Sequence, residues 1–160
     1  MFKDLNNIKV INFSNFDASN VILMGSMLRG CTSLETVKIT GKNLKSLDAS
    51  IFSDCISLTS VNLSDNIEHI GNNCFKGNVA LKKISLPKNL VTLGNSAFYG
   101  CSAITEVTIP ENVTSIENSA FYGCSSLKKI TFDGCTPALE SGSFGYSCSG
   151  SVASDCKIYF

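Results

Sequence analysis

Tryptophan is absent from this sequence, and arginine and histidine occur once each, as Arg29 and His69. Protein-binding hot spots draw heavily on Trp, Tyr and Arg, and two of these three types are all but missing, which argues against a tight protein site on the strand face. A Ser-His-Asp or Cys-His catalytic group has His69 alone to draw on. Net charge is missing too, because 13 basic and 13 acidic side chains cancel. No overall field favours nucleic acid or an anionic membrane. No apolar run approaches the roughly 20 residues that cross a bilayer. The opening MFKDLNNIKV lacks the basic-then-apolar order of a secretory signal. Eight cysteines include no C-x-x-C pair, and no G-K-[ST] occurs, so redox, zinc and nucleotide chemistry have no motif.

What the sequence does have is a period. Phe52, Phe75, Phe98, Phe121 and Phe144 recur at every twenty-third position, and long stretches repeat nearly unchanged, NSAFYGCSAITEVTIPENVTSI from Asn95 and NSAFYGCSSLKKITF from Asn118. Upstream the period lengthens. Leu28 takes the phenylalanine place twenty-four positions before Phe52, and Phe2 takes it twenty-six positions before Leu28. Three further apolar columns keep this register: Ile8, Ile11, Phe13; Leu34, Val37, Ile39; Leu58, Val61, Leu63; Leu81, Ile84, Leu86; Ile104, Val107, Ile109; Leu127, Ile130, Phe132. The last two of each set alternate with polar residues, the period-two pattern of a strand with one buried face. A second apolar pair follows, as in Leu44 and Leu47, Ile67 and Ile70, Leu90 and Leu93, Val113 and Ile116, and should line the opposite wall. The aromatic after it plugs the space between, and Gly77, Gly100 and Gly123 permit the return. One such unit cannot bury its own apolar face, whereas neighbours stacked about 4.8 Å apart share a continuous core and pair every strand.

These residues resemble the leucine-rich repeats, with L-x-x-V-x-L-x-x-N in Leu58 to Asn66 and variants in Leu81 to Asn89 and Ile104 to Asn112. More narrowly the chain resembles the BspA-like family, through AF-Y-GC (Ala97 to Cys101, Ala120 to Cys124) and IP-EN-VTSI (Ile109 to Ile116). The expected fold is a leucine-rich repeat solenoid, β-rich and of the α/β horseshoe class. It should have about six stacked right-handed turns, each twenty-three to twenty-six positions long, with a parallel β-sheet on one face and short 3₁₀ or helical turns opposite. One departure stands out: the consensus places an apolar residue two positions after the Asn, whereas here it comes one position after, as in Asn112 and Val113. Residues 1–160 read as a single domain, a piece of a longer chain because residue 1 already falls inside a repeat, with 133–160 an irregular C-terminal turn or cap.

Cys31, Cys55, Cys101 and Cys124 share a column with Asn78, and a buried small thiol filling a turn explains them, with metal or disulfide roles as the alternative. Cys135 falls in the column of Asn66, Asn89 and Asn112, where the leucine-rich pattern takes Asn or Cys facing inward, and Cys74 replaces the small residue before the aromatic. Cys148 and Cys156 lie outside the columns and could close a loop by a disulfide or remain free thiols. His69 aligns with Ser46, Thr92 and Ser115, which reads as a solvated face rather than a catalytic base. Scattered carboxylates such as Glu106, Glu111, Glu117 and Asp133 read as solubilising charge. No catalytic residue, metal site or cofactor is expected.

A partner would meet the outward residues of the strands. One column holds Asn12, Lys38, Asn62, Ser85, Thr108 and Thr131, flanked by Thr36, Ser60, Lys83, Glu106 and Lys129. Lys83, Glu106 and Lys129 should lie side by side on successive strands, where opposite charges favour pairing, so the face reads as solvated and self-paired, with a binding surface as the alternative. An alternative surface is Tyr99 and Tyr122, one turn apart, as a stacked pair for sugar or protein contact or as a cover for the return bend. Asn12-Phe-Ser, Asn62-Leu-Ser and Asn112-Val-Thr are glycosylation sequons that matter only in a eukaryotic secretory pathway. The resemblance implies a non-enzymatic, adhesion-type protein-interaction module of a cell-surface or secreted protein that contacts host proteins, matrix or other cells. A structural spacer and a carbohydrate-binding surface are the alternatives. Nucleic acid and membrane insertion are not expected, and weak self-association through open solenoid ends is.

Overall fold

The computed structural model describes residues 2–144 apart from 18, 20, 22 and 42. In Glu106–Ile109 the alternation works as a strand requires: Val107 and Ile109 are buried while Glu106 and Thr108 face solvent. The equivalent segments form β1 (Val10–Asn12), β2 (Thr36–Ile39), β4 (Ser60–Leu63), β7 (Glu106–Ile109) and β9 (Lys129–Phe132). Their pairings are parallel and keep the repeat register, with Val37 beside Val61 and Val107 beside Ile130. The hydrophobic columns of the sequence are therefore vertical stripes of one wall.

The opposite wall differs from expectation. Instead of 3₁₀ or helical turns it is a second parallel sheet of two-residue strands, β3 (Ser46–Leu47), β5 (His69–Ile70), β6 (Thr92–Leu93), β8 (Ser115–Ile116) and β10 (Ala138–Leu139). None of the described residues is helical. The donors that a helix would use internally go to the preceding turn: the amides of Gly71, Gly94 and Glu117 donate to Leu47, Ile70 and Leu93 carbonyls at 2.8, 2.8 and 2.9 Å. The described residues make five complete turns, preceded by β1, and those of the turn that β1 opens add no strand to the second wall.

Between the walls runs a return corner. Ser26, Ser50, Asn73, Ser96 and Ser119, each two residues before the plug, hold the left-handed backbone with φ of 56, 58, 55, 55 and 55°. At Gly77 the requirement is for glycine itself, since φ is +76° and an added Cβ would stand 2.7 Å from Asp54 Oδ1. Here the plug amides bond forward, Phe52, Phe75 and Phe98 donating to the carbonyls of Cys74, Ala97 and Ala120 at 2.9, 2.7 and 2.7 Å. Phe52, Phe75, Phe98, Phe121 and Phe144 stack in one column at centroid spacings of 5.3, 5.1, 5.2 and 5.4 Å. Four of these rings are wholly buried and Phe144 nearly so. The core is thus continuous along the coil.

One rung breaks the outer wall. Residues 83–86, the fourth outward segment, keep Ile84 and Leu86 buried yet pair with neither β4 nor β7, so the wall divides into β1-β2-β4 and β7-β9. The expectation that every strand pairs fails here, and part of the reason is chemical. At the position after the strand, Ser64 N–H donates to Ile39 O at 2.7 Å and Asp133 N–H to Ile109 O at 3.0 Å. In the fourth and fifth turns that position is Pro87 and Pro110, which have no N–H. The bonds that would close the segment against Leu63 on one side and β7 against Leu86 on the other cannot form. The second wall and the corner remain bonded past this rung.

Candidate interaction face

Because parallel strands in register put like positions in vertical rows, the outward columns become a surface. Ser85, Thr108, Thr131, Lys83, Glu106 and Lys129 line one groove of about 390 Å³ beside the broken rung. Lys88, Pro110 and Asp133 complete its rim. Lys83 Nζ is 3.5 Å from Glu106 Oε1, and Glu106 registers with Lys129 across β7 and β9. Among the described residues, Lys88 and Lys129 have no carboxylate within ion-pairing distance, and the hydroxyls of Ser85, Thr108 and Thr131 have no hydrogen-bond partner. Ile84, Leu86 and Val107 also line the groove, which thus mixes apolar and polar surface and carries two uncommitted ammonium groups. On the other side of the rung a second groove of about 360 Å³ holds Asn62 with Ser60, Asp65 and Ser85. Asp65 Oδ1 there accepts the Lys88 backbone N–H at 3.1 Å. Lys38, on β2, is exposed but lies outside both grooves. Sequence columns pointed to the strand face; they did not single out Lys88, which follows Pro87, or Asp133, which stands at the position equivalent to Pro110.

Tyr99 and Tyr122 stack at 5.2 Å with 17° between planes and are 36% and 38% exposed. Lys76 Nζ sits 5.3 Å over the Tyr99 ring. Both faces of Tyr99 are therefore covered, by a cation and by a ring. Tyr99 thus presents edge and hydroxyl, not a free ring face on which a sugar stacks.

His69 is exposed on β5, its Nδ1 2.9 Å from Thr92 Oγ1 one turn away. Cys31, Cys55, Cys101 and Cys124 are buried, and each Sγ donates to the carbonyl of the plug residue one turn back, Phe2, Leu28, Phe75 and Phe98, at 3.1, 3.2, 3.0 and 3.2 Å. Burial pushes the Cys55 thiol up to about 12, and raises Cys74 and Cys101 still more clearly. These thiols stay protonated and unreactive. Asn66, Asn89 and Asn112 do not face inward as the leucine-rich pattern suggested; all three are exposed, as is Cys135. Asn112 instead ties turns at the surface, its Nδ2 donating to Lys88 O at 3.1 Å. Cys148 and Cys156, with the suggested bridge between them, lie outside the described residues, as does most of the irregular final turn. Among the described residues no three His, Cys, Asp or Glu side chains are grouped to hold a metal ion, and no helix is long and apolar enough to cross a membrane.

Comparison with known proteins accords with this geometry. A family model described as "BspA type Leucine rich repeat region" matches residues 22–150 in six copies. A leucine-rich repeat protein from Bacteroides ovatus superposes with a TM-score of 0.73 at 26% identity, over 80% of this chain and 32% of its own. A leucine rich cell surface protein from Faecalibacterium prausnitzii gives 0.65 at 24% identity, over 94% of this chain and 35% of its own. A leucine rich repeat protein from T. pallidum gives 0.60 at 17% identity, over 91% and 81%. This chain thus spans about a third of the length of the first two structures. Among curated proteins no sequence matches it.

Proposed function

The chain belongs to the BspA-type leucine-rich repeat family, and from that premise we propose that it is a non-enzymatic protein-interaction module of a cell-surface or secreted protein. The observation that carries the reading is the gathering of six outward residues of three successive turns on one open groove, over a core that is closed everywhere beneath it. A solenoid holds such rows rigidly, so little conformational entropy is lost when a partner seats on them. Catalysis finds no support in the arrangement, because His69 meets the Thr92 hydroxyl on an exposed wall with no carboxylate among the described residues hydrogen-bonded to its ring to complete a triad. The surface role draws on the cell surface protein that carries a similar coil. Self-association through the solenoid ends and a cap over 133–160 belong to the same proposal and rest on the repeat pattern. A spacer is the second reading, favoured by the unbroken phenylalanine column, which stiffens the rod whatever its surface does.

The test is binding of the immobilised chain to a panel of matrix and cell-surface proteins. It is compared with a Lys83→Glu/Thr108→Arg/Lys129→Glu variant and with Tyr99→Ala/Tyr122→Ala. The proposal expects at least one partner, lost in the triple variant and kept in the tyrosine variant. Undiminished capture by the triple variant would reject the strand face, and no capture at all would favour the spacer.

A further inference from the structure

We propose that the groove beside the broken rung docks a short acidic segment of a partner protein in extended conformation, an inference that rests on the interaction reading above and names the chemistry of its partner. The groove carries Lys83, Lys88 and Lys129 against Glu106 and Asp133, and Glu106 is engaged with Lys83. Lys88 and Lys129 are left as ammonium groups without a carboxylate among the described residues. A ligand that supplies carboxylates completes both.

The second observation is the backbone. The peptide groups of residues 83–86 are without inter-strand bonds on either side, and Pro87 and Pro110 withhold the closing donor at each. Beside them stand three partnerless hydroxyls, Ser85, Thr108 and Thr131, in a vertical row. An extended peptide laid along this row presents amides and carbonyls along its length, which match its hydroxyls. Two turn spacings are about 10 Å, the length of about three extended residues, so the row suits a tripeptide or slightly longer core. A charged polysaccharide fits less well, since the groove has no aromatic lining and the Tyr99 faces are covered. Exposed ion pairs are individually weak, so binding is modest and salt-sensitive.

The test is fluorescence anisotropy with a labelled, amidated octapeptide of alternating Asp and Ser, beside its Asn-Ser counterpart and a uronic-acid oligosaccharide of equal charge. The acidic peptide should bind about tenfold more tightly than the neutral one. Lys88→Gln and Lys129→Gln should each weaken it about threefold, while Lys76→Gln at the tyrosine corner leaves it unchanged. Raising salt from about 0.05 M to about 0.5 M should remove most of the difference. Equal binding of the two peptides, tighter binding of the oligosaccharide, or an equal loss with Lys76→Gln would overturn the inference. Should the chain capture a panel protein through its strand face while ignoring the acidic peptide, this inference falls and the interaction reading stands.

Discussion

Asn78 occupies the place where four other turns have cysteine, and it does half of the cysteine's work. Its Nδ2 donates to Phe52 O at 3.1 Å, as the thiols do to their plug carbonyls, but its Oδ1 is buried without a partner. A buried polar atom left unpaired costs about 1–3 kcal/mol. Asn78→Cys keeps the donor and removes that oxygen, so urea denaturation should show a gain of about 1 kcal/mol; a loss would mean that the amide fills space a thiol cannot. The same column makes a pH prediction. Burial raises the folded thiols, Cys55 to about 12 from an ordinary 9.0, so above that ordinary value the unfolded chain ionises first. The stability they contribute is complete below about pH 9 and is lost as pH rises towards the folded values. Unfolding midpoints should fall across that window, and less steeply in Cys55→Ala. The thiol column was legible in the sequence because period and size agree. The orientation of Asn66, Asn89 and Asn112 was not, although its cause was visible: the apolar residue comes directly after the Asn, and Ile67, Leu90 and Val113 take the interior beside them.

At the scale of elements, the outer strands could be read from alternation, whereas the second wall could not, since two residues carry no period. What decides that wall is the amide bonding between turns, which needs a register that only the assembled coil supplies. The broken rung shows the same limit from the other side. Ile84 and Leu86 fit the strand pattern as well as Val61 and Leu63 do, and burial alone gives no warning. The warning is Pro87 together with Pro110, and it has meaning only once each is known to stand where Ser64 and Asp133 donate. Restoring the donors with Pro87→Ser/Pro110→Ser should let β4, residues 83–86 and β7 join. Two backbone bonds at about 1 kcal/mol each, less about 1 kcal/mol for the added freedom of the unfolded chain, predict a net gain of about 1 kcal/mol in denaturant unfolding. If the double variant is markedly less stable, the prolines are holding the rung by their rings rather than leaving it open.

For the whole molecule the repeat makes stability collective: each turn touches its neighbours, and the phenylalanine column and second wall carry the coil past the place where the outer wall parts. The architecture was legible from spacing and apolar columns, and the candidate face from the outward rows. The division of that face was not, because it arises from bonds that are missing rather than residues that are present. Site-resolved amide hydrogen exchange of the native chain measures those bonds directly. Slow exchange is expected for the ladder-bonded amides of β2, β4, β7 and β9, the second-wall turns and the corner amides of Phe52, Phe75 and Phe98, with fast exchange, within the outer wall from β2 to β9, at residues 82–86 and the amides of β4 and β7 that face them. Protection of 82–86 equal to that of β4, or loss of protection throughout the chain beyond them, would contradict a coil whose outer wall alone is parted by its prolines.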